Sequence, residues 1–249
     1  MRPVDADGPG DDNAERWSRA WLSRAVEPGD AATFALVRLL GAAEAVRLIR
    51  ARRAPPSVMA AVGSRWEDDL AGRDLEEAAR RGIRLVVPSD PEWPGDALHP
   101  MELALERGVP GLAPPLSLWA RGRAQLADAV GRAVAIVGSR AATPYGEHVA
   151  GELAYGLADA GWTVVSGGAL GIDGSAHRAA LAAAGTTVAV LAGGLDRAYP
   201  ASHAGLFERI TADGLLVGEW PPGCAPHRHR FLIRNRLVAG LSAGTVVVE

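Results

Sequence analysis

The amino-acid order predicts an α/β fold in which a doubly wound, mostly parallel sheet follows a small N-terminal helical module. Three observations carry that prediction. After Arg132, short β-branched runs alternate with Ala-rich stretches of helical length. The strand candidates there, such as AVAIV and TVVV, are apolar throughout, as strands covered on both faces are. The spacing of those strands and helices suits parallel strands joined by right-handed crossovers in one sheet.

Residues 1–12 contain Asp5, Asp7, Asp11 and Asp12 with two glycines and two prolines, too little apolar surface to order itself, and are expected to form a disordered tail. Residues 13–81 read as a helical module of the SAM or helix-hairpin-helix kind. Trp17, Trp21, Leu22, Phe34, Leu36, Val37, Leu40, Val46 and Ile49 recur at helical intervals, and Pro28-Gly29 breaks the run. The second domain, 82–249, opens with a strand over 82–87. An irregular connection with seven prolines follows over 88–115, then a strand over 116–119. Further strands are expected at 133–137, 163–165, 187–191, 215–217 and 245–248, with helices at 144–160, 173–184, 202–212 and 231–242 between them. The sheet reads as unfinished at Glu249, because open sheets of this class place a ligand loop after such a strand.

Composition narrows the function. The 26 basic residues, all arginine, face 29 acidic ones for a net charge of -3, so no global field draws the chain to a polyanion and any such site is local. Each cation is a planar fork rather than a point charge. The single cysteine, Cys224, has no internal disulfide partner, and no secretory leader is seen, which places the chain in the reducing cytoplasm. No apolar run of about 18 residues is available to span a bilayer, so no membrane partner is expected.

Ligands of open α/β sheets sit at the carboxyl ends of the strands. The first loop there is Gly138-Ser139-Arg140, followed by Thr143 as N-cap and Pro144 as first helical residue; a free helix N-terminus beside Ser139 and Arg140 makes an anion site. The second is Ser166-Gly167-Gly168-Ala169-Leu170-Gly171-Ile172-Asp173, whose glycines let the backbone approach a phosphate, with Asp173 as a simple N-cap in the plainer reading. The third is Gly193-Gly194-Leu195-Asp196, continuing into Tyr199-Pro200. None has the dinucleotide or P-loop spacing, which removes the main support for a hydride-transfer enzyme or an NTPase.

From Trp220 to Val248 no acid occurs while Arg228, Arg230, Arg234 and Arg236 do, a basic edge on a neutral chain. Phe231 lies among them, joining a stacking face to phosphate forks as single-strand grooves do. With Phe231 opening the helix, Arg234 and Asn235 fall on one face with it. Plainer readings exist for each feature. A Gly-rich loop is often only a tight connection, an arginine run only a solvated face, and Phe231 only core. His177 reads as a structural hydrogen-bonding residue rather than a base, Cys224 as inert, and His227 and His229 lack the partners of a metal site. No metal, cofactor or catalytic residue is expected.

These motifs resemble the DprA/Smf family of bacterial DNA-processing proteins. The resemblance runs through Val137-Gly138-Ser139-Arg140, Thr143-Pro144-Tyr145-Gly146, Ser166-Gly167-Gly168-Ala169 with Gly171-Ile172-Asp173 and Ala176-His177, and Gly193-Gly194 with Tyr199-Pro200. It continues through Gly218-Glu219, Phe231 with Arg234-Asn235-Arg236, and Ala239-Gly240-Leu241-Ser242, spanning the 117 residues from Ala133 to Glu249. Leu232 stands where the family usually has Pro, and His203 where Asn is usual.

The resemblance implies a Rossmann-like DNA-binding domain and a protein of natural transformation that binds and protects single-stranded DNA and promotes loading of RecA, without catalysis of its own. It carries nucleic-acid contacts to Gly138, Ser139, Arg140, Ser166, Gly167, Gly168, Phe231, Arg234, Asn235 and Arg236, to which the basic edge adds Arg228. It also implies further sheet and often a winged-helix domain beyond the last strand, parts that contribute to homodimers. The rival readings are a Lonely-Guy-type nucleotide phosphoribohydrolase, whose Pro-Gly-Gly-x-Gly-Thr segment does not occur here, and a nucleotide-sensing Rossmann-like domain.

Overall fold

The computed structural model describes residues 9–249, with side chains from residue 12. Residues 1–8 of the expected tail lie outside the described residues, and Pro9–Asp12 already belong to the first helix. Five helices come first: α1 Pro9–Ala25, α2 Ala31–Leu40, α3 Ala42–Arg50, α4 Pro56–Val62 and α5 Ala71–Arg80. Gly29 at φ +89° makes the break after α1, and the Asp30 side chain caps α2 by accepting from the Thr33 amide.

The rest alternates: β1 Ile83–Val86, α6 Gly95–Glu106, β2 Leu118–Arg121, α7 Leu126–Val130, β3 Ala133–Gly138, α8 Pro144–Asp159, β4 Thr163–Ser166, α9 Ile172–Ala182, β5 Thr187–Leu191, α10 Ala204–Asp213, β6 Leu215–Gly218, α11 Arg228–Gly240 and β7 Gly244–Val248. The seven strands form one sheet in the order β1-β2-β6-β5-β4-β3-β7. The five strands from β6 to β7 run parallel, while β1 and β2 join antiparallel at one edge.

Side chains alternate cleanly between two covered faces. Ile136, Val164, Ala189, Leu191 and Leu216 pack under α8, α9, α10 and the N-terminal helices; their neighbours Ala135, Val165, Val188, Val190 and Val217 pack under α6, α7 and α11. The cause is topological. Right-handed crossovers that step from β3 to β6 put α8, α9 and α10 on one face, and the reversal from β6 back to β7 puts α11 on the other. The carboxyl ends of β3, β4 and β5 therefore open between α9 and α11, which is where the Gly-rich loops converge. No helix among the described residues is long and apolar enough to cross a membrane.

Four elements differ from expectation. The segment 88–115, read as irregular because of its prolines, contains α6 with Pro100 inside it; the lost amide costs one turn bond, and burial of Leu98 and Met101 holds the helix together. The helix α7 is an addition, and β2 begins at Leu118, two residues later than predicted. The last helix starts at Arg228 rather than Phe231, because the first apolar residue of a segment need not be its first helical residue.

Candidate nucleic-acid interface

Each Gly-rich loop turns out to be partly satisfied from within the chain. In the β3–α8 loop the Ser139 amide donates to the Glu249 carbonyl at 3.1 Å, and the Ser139 carbonyl accepts from the Ile172 amide at 3.2 Å. The Glu249 carboxylate accepts from the Thr143 amide at 3.0 Å and from its hydroxyl at 2.9 Å. Thr143 does cap α8, accepting from the Gly146 amide at 3.1 Å. The free anion site expected beside Ser139 is thus filled by a carboxylate of the chain, the charge that a helix N-terminus favours. Gly138 lies against the Val248 backbone, with Ile172 also close.

In the β4–α9 loop the Ser166 hydroxyl points inward and donates to the Ile136 carbonyl at 2.6 Å. Asp173 does more than cap. Its Oδ2 accepts from the Gly167 amide at 3.1 Å and the Ala169 amide at 3.2 Å, so these amides do not face a ligand. Gly168, at φ +72°, is buried and offers its carbonyl to Nδ1 of His203 at 3.1 Å. His203 fills the place where the resemblance leads one to expect Asn. The Ser166 hydroxyl, the Gly167 amide and the Gly168 carbonyl are therefore engaged within the protein, as buried polar groups must be, rather than free for a ligand as expected.

The arginines divide in a way that sequence spacing does not show. Arg234 is 5% exposed; it runs beneath the β4–α9 loop, stacks on Gly167 and donates from Nη1 to the Val190 carbonyl at 2.9 Å. Burial pushes its guanidinium down to about 10, with Arg140 adding to the lowering and Asp173 opposing it. Arg236 pairs with Glu219 at 2.5 Å, both side chains 4% exposed. Both are engaged inside the protein, Arg234 with a backbone carbonyl and Arg236 with a carboxylate, rather than standing free on a basic edge as the sequence reading expects. Arg230 is likewise withdrawn, its Nη2 donating to Glu27 at 2.6 Å. Of the four arginines on α11 only Arg228 stands exposed without an ion-pair partner among the described residues.

What remains at the surface forms a continuous rim. Arg140 is exposed, with its Cζ 4.8 Å from the centre of the Phe231 ring. Tyr199 packs against the other side of the site, its ring 5.6 Å from Phe231 at 49°, and is itself exposed. Starting α11 at Arg228 places Arg228, Phe231 and Asn235 at i, i+3 and i+7, one stripe toward solvent, while Arg234 turns under the helix. A shallow, open recess lies beside them, lined by Gly167, Gly193, Gly194, Arg197, Tyr199 and Phe231. Arg197 is 86% exposed and 3.7 Å from Asp196.

The sequence reading missed Arg197 and Tyr199 as site residues. Their only local signal is an arginine and an aromatic inside the third Gly-rich loop. His177 is fully buried and hydrogen-bonds Thr187 at 2.8 Å, in line with the structural role expected of it.

The chain is similar in sequence and fold to several known proteins. A relative from Mycobacterium tuberculosis carrying the DprA name is 52% identical over 239 residues, covering 96% of this chain and 61% of that protein, so the chain spans under two thirds of its relative's length. The DNA processing protein DprA of Bacillus subtilis is 40% identical over 136 residues, covering 55% of this chain and 46% of that one. The X-ray structure of DNA processing protein A from Streptococcus pneumoniae superposes with a TM-score of 0.71 at 26% identity, over 95% of this chain and 77% of that one. A structure of DNA processing protein A from Helicobacter pylori, described for its single-stranded DNA binding mode, superposes with a TM-score of 0.50 at 34% identity, over 54% of this chain and 60% of that one. The family model for DNA recombination-mediator protein A matches residues 84–249, which takes in every strand but the first residue of β1 together with the whole of the rim, and the chain belongs to that family.

Proposed function

We propose that this chain is a non-enzymatic single-stranded DNA-binding protein that receives the strand along the rim of β3, β4 and β5. In this reading it serves DNA processing in natural transformation, protecting incoming single strands and promoting loading of RecA. The observation that carries it is the stack of exposed Arg140 on Phe231 beside exposed Tyr199, a cation next to two aromatic faces at a strand-end surface. Arg140, Arg197 and Arg228 supply the phosphate contacts; Phe231 and Tyr199 supply sequence-tolerant stacking. The single-strand binding described for the Helicobacter pylori relative supports the same ligand class.

Titration with labelled oligo-dT of increasing length tests the reading. Affinity should rise with length and fall with salt, the slope of log K on log salt being about -2 for three phosphates at roughly -0.7 each. Tight binding of mononucleotides without length dependence would favour a nucleotide sensor. Release of base from nucleoside monophosphates would establish an enzyme.

A further inference from the structure

The start of α11 lacks what a helix start needs. His227 occupies the cap position with no side-chain cap bond, no acid occurs in the first turn, and Arg228, His229 and Arg230 crowd the positive end of the helix dipole. The missing anion comes from elsewhere in the chain. Glu27, in the turn between α1 and α2, accepts from Arg230 Nη2 at 2.6 Å and from the Trp220 indole at 3.1 Å. Arg65 lies 3.6 Å from the same carboxylate, and His229 3.9 Å. Arg230 is clamped in place: its Cζ lies 5.2 Å from the centre of the Trp220 ring, its Nη1 donates to the Ala225 carbonyl at 3.1 Å, and its side chain is 12% exposed.

Arg230 is adjacent in sequence to Phe231, the stacking residue of the rim, and two residues from Arg228, its free cation. We infer that Glu27 is a positioning residue for the DNA site: acting through Arg230, it holds the first turn of α11 so that Phe231 stays over Arg140 and Arg228 stays on the rim. The N-terminal helices thereby contribute to strand binding without touching the strand. This role rests on the reading of the rim as the DNA interface.

The sign of the effect separates positioning from plain electrostatics. An anion near a polyanion path only repels, so if charge were all that mattered, Glu27→Ala would tighten binding. Positioning requires the opposite. Wild type, Glu27→Ala, Arg230→Ala and the double variant are titrated with oligo-dT at one salt concentration, and amide exchange is followed over 228–232. Each single variant should bind roughly fivefold more weakly, the size of losing one helix cap. The double should be no weaker than either single, and exchange should quicken in 228–232. Should Glu27→Ala fail to fold, Glu27→Met serves in its place, filling the same space while removing both the charge and the acceptor for Arg230.

Wild type that binds while Glu27→Ala binds equally well or better, or losses that add in the double, would overturn the inference alone. Wild type that does not bind oligo-dT overturns the rim reading and this role with it.

Discussion

Gly167 tests most directly whether Arg234 is frame or contact. Its backbone is not in the left-handed region, so alanine there is strained only by what its Cβ meets. That Cβ would lie 2.5 Å from Arg234 Cζ and collide with the guanidinium. Arg234 is 5% exposed and tied to the Val190 carbonyl, so Gly167→Ala must break that bond and push a charged fork out of its slot. A hydrogen bond to a charged group contributes about 1.5–3 kcal/mol, and an orphaned buried carbonyl adds to the loss, for a total of about 3 kcal/mol. For a chain of this size that is a fall in Tm of about 6–12 °C. Urea and thermal denaturation of Gly167→Ala, Arg234→Ala and the double variant form the assay. Since both substitutions empty one slot, the double should cost little more than Arg234→Ala alone. A cost below about 0.5 kcal/mol for Gly167→Ala, or one that persists in full in the Arg234→Ala background, would refute the reasoning, because the fork would then be free to swing outward.

Four further outcomes are expected. Phe231→Ala should remove about 1–3 kcal/mol of oligo-dT affinity with an unchanged salt slope, whereas Arg140→Ala should make that slope less negative by about 0.7, both read by fluorescence titration. Arg236→Ala should destabilise the fold by about 3–5 kcal/mol by leaving the Glu219 carboxylate buried and unpaired, yet leave the salt slope untouched; a changed slope would return Arg236 to the interface. His177 is held down to about 3 by burial, with His203, Arg178 and Arg234 adding to the effect, against 6.5 when unfolded. Its native form therefore takes up a proton later than the unfolded chain does. Its contribution is fully present above pH 6.5 and is lost progressively as pH falls toward 3, and His177→Gln should reduce that acid slope by about one proton.

Much of the frame was legible from local pattern. All five predicted strands after Arg132 appear within a residue or so of their places, because a fully covered parallel strand must be a short apolar run and little else competes for that pattern. Thr143 and Pro144 start α8 as their chemistry demands. The region around Pro100 was not legible: local rules count proline as a break, and only the packing of Leu98 and Met101 shows that the helix survives it.

By itself, the amino-acid order determined the layered architecture, the rim where the Gly-rich loops meet, and Arg140, Arg228, Phe231 and Asn235 as candidates on it. Those inferences need only periodicity, turn chemistry and chain connectivity, all of which act over a few residues. Tertiary structure alone decided which charges are spent inside. Arg234 goes to Val190, Arg236 to Glu219, Arg230 to Glu27, and the loop amides to Asp173 and Glu249. Whether an arginine meets solvent or an internal oxygen depends on partners brought together from distant parts of the chain, and even there the match is partial, since Nε of Arg230, Arg234 and Arg236 has no hydrogen-bond partner among the described residues.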